Sequence, residues 1–194
     1  MRLAGLFKAV AGVFDGSLEI ENHAREALLA TAEEAVYDGP HTTLPEAFLA
    51  AMAASGAHPA CAEVAKARLL WAPPETSDDP DYVEHSRPKV HVELIGPDGI
   101  VAHNRVRLGL YGMLPHAEYG LRTHPAEEVF VMMAGRAWWK RGDADYAPEG
   151  PGGRSYHPSM LPHANKTEDQ VFMSAYIWFG DVARDGYVYQ GIPG

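Results

Sequence analysis

Apolar positions in the first 75 residues recur at helical spacing. In SLEIENHAREALLATAEEAVYDG (17–39), Ala24, Ala27, Leu28, Thr31 and Ala35 fall along one side of a helix, with Glu and Arg between them. Asp38-Gly39-Pro40 ends that pattern, and Thr43-Leu44-Pro45-Glu46 supplies a cap with proline near the first turn of the next helix. LPEAFLAAMAAS and HPACAEVAKARLLWA, separated by Gly56 and Pro59, continue in the same manner. The opening MRLAGLFKAVAGVF predicts an amphipathic helix, because Lys8 interrupts the apolar stretch a signal peptide needs. Three or four short helices are expected, laid over a sheet.

Residues 72–90, APPETSDDPDYVEHSRPKV, are rich in proline and acid and predict a linker or long connection. Beyond them the period falls to two. HVELIGPDG, AHNRVRLGLYGML, EEVFVMMAGRAWWKRG, YHPSMLPHA, QVFMSAYIWFGD and YVYQG are strand-sized runs rich in β-branched and aromatic residues, punctuated by Gly, Asp and Pro. Short strands with no helices between them predict an antiparallel sandwich or barrel. The chain is therefore expected to be α+β, with a helical region over residues 1–75 packing on a β domain over 76–194.

Composition narrows the function. A formal charge of −10 opposes binding to nucleic acid or to an anionic membrane. Cys61 is the single cysteine, so no internal disulfide framework exists, and its Ala-rich, helix-like setting predicts a small buried hydrophobe. No apolar run reaches the ~18 residues of a membrane span. A cytoplasmic protein acting on a small molecule is expected.

The candidate chemistry lies in RTHPAEEVF (122–130) and YHPSMLPHAN (156–165). On a strand Arg122, His124, Glu128 and Phe130 share a parity, so His124 and Glu128 can both face a barrel interior, with His163 arriving from another strand. Two imidazoles and a carboxylate make an open site for a divalent first-row metal. Spacing alone leaves a second outcome open: the chain has ten histidines, and they also occur at surfaces or hydrogen-bonded in cores. His116 and His157 are further candidates for a fourth ligand. Alternation sends His157 to the face opposite Tyr156.

Over roughly residues 80–190 the chain resembles a cupin, the double-stranded β-helix (jelly-roll) barrel. The His, Glu and Gly of the first cupin motif fall at His124, Glu128 and Gly135, and the Gly, Pro and His of the second at Gly152, Pro158 and His163. Within the cupins it is similar to the dimethylsulfoniopropionate (DMSP) lyases of the DddQ group, which also carry helices before the barrel. Their second motif, Gly-x3-Tyr-x-Pro-x4-His, is present as Gly152, Tyr156, Pro158 and His163, and Tyr119 stands where the group has an active-site tyrosine. Their first motif, His/Gln-x-His-x3-Glu-x-Tyr-x4-Gly, is departed from at Arg122 and Phe130, two changes that bear on metal affinity and on activity.

The resemblance implies a carbon–sulfur lyase that removes a proton next to the DMSP carboxylate and expels dimethyl sulfide, leaving acrylate. It implies His124, Glu128 and His163 as ligands of a divalent metal (Zn, Fe or Mn) and Tyr119 as the base. Tyr156, Arg122, Phe130 and Trp178 are expected at the substrate, the aromatic faces suiting a sulfonium. Arg122 either pairs with the substrate carboxylate or faces outward; it cannot ligate a metal, having no available lone pair. Of Trp138 and Trp139, at most one faces inward. A homodimer is implied by resemblance only. Three other outcomes stand beside the lyase: a lyase-like cupin that binds a carboxylate without cleaving it, a cupin with another metal-dependent activity, and a structural cupin.

Overall fold

A computed structural model describes residues 1–193. Four helices account for the helical half: α1 (Ala4–Ala11), α2 (Glu19–Thr31), α3 (Glu46–Ala53) and α4 (Cys61–Lys66). In α1 Leu6, Phe7, Val10 and Ala11 are buried while Lys8 reaches out to Glu33, as an amphipathic helix requires. The α2 helix buries Ile20, Ala24 and Leu28 but stops at Thr31, so Ala35 lies beyond it and accepts the Leu3 N–H. Pro45 is the N-cap residue of α3, and no side chain caps it. Cys61 is buried. No helix among the described residues is long and apolar enough to cross a membrane.

The stretch expected as a linker holds a fifth helix, α5 (Pro80–Ser86). Its signal is local: Asp79 accepts the Asp81 and Tyr82 N–H groups at 2.9 and 3.1 Å, and Pro80 stands at the first helical position. The helix carries Tyr82, fully buried, into the barrel.

The strands are β1 (Lys89–Gly96), β2 (Val101–Ala102), β3 (Val106–Met113), β4 (Glu118–Thr123), β5 (Glu127–Gly135), β6 (Ala137–Arg141), β7 (Ala147–Glu149), β8 (Arg154–His157), β9 (His163–Lys166), β10 (Phe172–Phe179) and β11 (Val188–Gly191). They form a six-stranded sheet in the order β2-β1-β3-β10-β5-β8 and a five-stranded sheet in the order β11-β4-β9-β6-β7. From β3 onward the chain crosses between the two sheets at nearly every connection. This is the double-stranded β-helix of a cupin, preceded by helices. YHPSMLPHA is not one strand: Pro158 and Pro162 withhold N–H donors, Met160 takes a positive φ of 63°, and the run splits into the end of β8 and the start of β9. The motif glycines Gly135 and Gly152 have φ of 70° and 82°, a backbone region that favours glycine.

The central strands β3, β10 and β5 of the six-stranded sheet are buried on both faces, and all eight residues of β3 are buried. Its outer face, with Val92, Leu110, Val131 and Ile177, joins Phe7, Leu28, Phe48 and Val64 of the helices in one apolar cluster. Its inner face contributes to a second cluster with Tyr111, Phe130, Trp139, Phe172 and Trp178. Because helices cover the outside, the usual alternation is inverted. Apolar residues face the helices, and the buried polar side chains Glu128, Ser155 and His157 lie on the interior face among aromatic rings.

Candidate metal centre

Strand register brings the ligand candidates together. Glu128 on β5 pairs with Trp178 on β10 and with His157 on β8. In the other sheet Arg122 on β4 pairs with His163 on β9, and His124 follows one residue past the end of β4. His124 Nε2 lies 3.5 Å and His163 Nε2 3.1 Å from Glu128 Oε2. One ligand atom from each of His124, Glu128 and His163 falls within 4.8 Å of the others, and all three residues are buried.

Each ligand is held by its far side. His124 Nδ1 lies 3.0 Å from the Ala126 carbonyl and His163 Nδ1 2.8 Å from the Leu161 carbonyl. Those contacts place the ring proton on Nδ1 and leave Nε2 as a lone pair. Both Nε2 atoms are buried without a hydrogen-bond partner. A buried acceptor with nothing to accept is costly, and a divalent ion bound to both nitrogens and to Glu128 would satisfy them together. The donor set fits such an ion. Burial pushes His163 well below the usual imidazole range. Trp178 stacks on His124 at 4.0 Å and donates its indole N–H to Glu128 Oε1.

A cavity opens onto this centre, lined among others by Tyr111, Tyr119, Arg122, Glu128, Phe130 and Trp178. Pro74, Glu75 and Arg184 line it as well, and Arg184 donates to the Glu75 carbonyl at 2.9 Å. Phe130 packs against Trp139 at 4.7 Å and Tyr111 at 5.5 Å. Arg122 is buried and donates to Asn165 Oδ1 at 3.1 Å, so of its two expected positions the inward one is found. Tyr119 is buried too, its hydroxyl 2.7 Å from that of Tyr187 and 3.5 Å from that of Tyr82. The Lys89 ammonium lies 3.4 Å and the Arg122 guanidinium carbon 3.7 Å from the Tyr119 ring centroid. Burial pushes the Tyr119 hydroxyl well above the usual phenol range. The same burial, with Arg122 nearby, pushes Lys89 well down.

Tyr156 is not brought to the site. In the β5–β8 register it pairs with Val129 on the outer face, packs against the helix-side cluster, and donates its hydroxyl to Glu127 at 2.6 Å. Its neighbour His157 takes the inward position instead, stacked on His163 at 4.0 Å. Burial pushes His157 down to about 4. Trp139 is the inward tryptophan of the pair, fully buried, while Trp138 is half-buried. His116 is exposed and lies 3.5 Å from Asp169, away from the centre. Lys89 and Tyr187 were missed as site-facing residues. For Lys89 a signal existed: in KVHVE the polar positions Lys89, His91 and Glu93 share one parity and the valines the other.

A sequence model of the dimethylsulfoniopropionate lyase family matches residues 23–173. The chain belongs to the DMSP lyase family. It is 35% identical over 89 residues to the dimethylsulfoniopropionate lyase DddQ of Ruegeria pomeroyi, a match spanning 46% of this chain and 44% of that protein. The crystal structure of DddQ from that organism superposes with a TM-score of 0.65 at 23% identity, covering 97% of this chain and 98% of that one. A structure from a study of the DMSP lyases RdDddP and RnDddQII gives a TM-score of 0.69 at 20% identity, with 97% of each chain covered. At such identities the two structures speak for the fold, and membership in the family rests on the sequence match.

Proposed function

We propose that this protein cleaves DMSP to dimethyl sulfide and acrylate by metal-assisted, base-promoted β-elimination. The observation that carries the proposal is the pair of buried, unpartnered Nε2 atoms converging with Glu128 beside a cavity that also contains Arg122 and Tyr119. His124, Glu128 and His163 would hold the ion. Once bound, it would supply a Lewis acid for the substrate carboxylate, stabilising charge that develops on deprotonation.

The chain's own residues supply the rest. The Arg122 guanidinium has no carboxylate partner among the described residues, so it is available to a substrate carboxylate. Tyr119 oxygen takes the proton from the carbon next to that carboxylate. The electron pair of the C–H bond forms the new C=C bond, and the C–S pair leaves on sulfur as dimethyl sulfide. Tyr119 can do this only as the phenolate. Burial works against that form, and the Arg122 cation against its ring works for it. Trp178, stacked on His124, offers an aromatic face to the sulfonium.

Two observations favour a second outcome, ligand binding without cleavage. Phe130 has no hydroxyl, and the Tyr119 hydroxyl is already engaged by Tyr187. Purified protein loaded in turn with Zn²⁺, Fe²⁺ and Mn²⁺ and incubated with DMSP should release dimethyl sulfide, read by headspace gas chromatography, and His163→Ala should abolish the release. Silence with every ion would remove the lyase activity. Retained DMSP binding in calorimetry would then favour the second outcome.

A further inference from the structure

One polar chain inside the barrel plays no part in the steps above. Arg141 on β6 donates its Nε–H to Ser155 Oγ at 3.0 Å; Ser155 Oγ lies 2.7 Å from His157 Nε2; His157 Nδ1 lies 2.8 Å from Glu128 Oε2. Ser155 and His157 are both fully buried. Arg141 is itself anchored, donating to Glu149 Oε1 at 2.8 Å and to the Arg154 carbonyl at 3.0 Å.

The direction of this chain follows from its first member. A guanidinium only donates, so Ser155 Oγ is an acceptor toward Arg141, and its single proton goes to His157 Nε2. A neutral imidazole whose Nε2 accepts carries its proton on Nδ1, and that proton faces the Glu128 carboxylate. The opposite tautomer would leave the Ser155 proton buried without an acceptor and set a nitrogen lone pair against carboxylate oxygen. Trp178 donates to the other oxygen of the same carboxylate. Each oxygen of Glu128 thus receives one fixed N–H and keeps a lone pair free.

We propose that His157 is a positioning residue and not a fourth ligand: anchored through Ser155 and Arg141, its Nδ1–H orients Glu128 toward the Nε2 atoms of His124 and His163. The proposal rests on the metal reading given above. It makes the centre a three-ligand one, with Arg122 standing where the DMSP lyase pattern has His or Gln and His157 unable to take over as ligand while Nδ1 is protonated. The motif Gly-x3-Tyr-x-Pro-x4-His leaves position 157 unspecified, so family membership does not dictate this role.

The test is the Zn²⁺ affinity of the metal-stripped full-length chain, measured by competition with a chromophoric chelator. His157→Asn keeps an N–H near the place of Nδ1, whereas His157→Leu removes it. His157→Asn should stay within about 3-fold of the parent, His157→Leu should bind about 10- to 100-fold more weakly, and Ser155→Ala should fall between them. Equal losses in His157→Asn and His157→Leu, as deep as that of His163→Ala, would make His157 a ligand and overturn the proposal. Unchanged affinity in both His157→Leu and Ser155→Ala would overturn it as well. A parent that binds no Zn²⁺ sinks the metal reading itself, an outcome distinct from the other two. Nitrogen-15 NMR of the metal-free parent tests the hydrogen-bond direction separately, with His157 expected protonated at Nδ1; protonation at Nε2 in its place would overturn the assignment. Circular dichroism of each variant verifies that the fold is kept.

Discussion

Arg122 and Phe130, the two departures from the family pattern, both line the cavity. Their effects on the site differ. Arg122 places a buried cation at the cavity, which the proposed reaction uses to meet a carboxylate, while Phe130 brings no hydroxyl and packs against Trp139 and Tyr111. With Tyr119 as the base, Phe130→Tyr is expected to change the rate of dimethyl sulfide release by less than about 10-fold, whereas a gain on the order of 100-fold, the lower end of what a positioned base contributes, would move the base to position 130; headspace chromatography measures it. Lys89 is a different case. Its ammonium is buried against Tyr119 with Ser86 Oγ at 3.3 Å and no carboxylate partner among the described residues. Lys89→Met should therefore raise stability by about 1–3 kcal/mol in urea denaturation, because it removes a buried amine held by one long hydrogen bond. The same change should leave kcat within about 3-fold, since burial and Arg122 already disfavour the charged form of Lys89 while Arg122 stays against the Tyr119 ring.

At the scale of elements, α5 is a short helix with a functional cargo. It brings Tyr82 within 3.5 Å of the Tyr119 hydroxyl, and its start depends on Asp79. Asp79→Ala should cost about 1 kcal/mol in thermal or urea unfolding, with a rise in KM as the Tyr82 edge of the site loosens. The split of YHPSMLPHA into β8 and β9 matters equally. It delivers His157 from one sheet and His163 from the other, so that the two imidazoles stack at 4.0 Å. Proline chemistry made the break legible in principle, because neither Pro158 nor Pro162 can donate within a ladder. That the two halves lie in different sheets was not legible, since sheet membership depends on partners distant in sequence.

For the molecule as a whole, stability should depend on pH through buried imidazoles. Burial pushes His91 and His157 down to about 4 each. In the unfolded chain they titrate near their ordinary value of ~6.5. Above that value both states are neutral and the stability is fully present. As pH falls the unfolded state takes up protons first, so stability is lost progressively from about 6.5 down to about 4, by up to about 3 kcal/mol per histidine. The Tm of the metal-free protein, scanned by calorimetry from pH 7.5 to about pH 4, should fall across that window and flatten where His91→Phe is substituted. Above the window, added Zn²⁺ should raise Tm if the centre binds it, because ligation favours the folded state.

The sequence alone determined the division into a helical half and a strand half, because hydrophobic period is a local property. It nominated the trio His124, Glu128 and His163 through short motif segments, but spacing alone left their role open, and that their side chains converge is a tertiary result. Alternation further required that Tyr156 and His157 face opposite ways. Only the tertiary structure decided which of them faces inward, because the outer face of β8 is itself half-covered and tyrosine and histidine both suit a partly polar setting. Lys89, Tyr187 and Trp178 meet the site from positions far along the chain. Their placement follows from sheet order and from the helices packed behind the sheet, which turn its polar residues toward the interior.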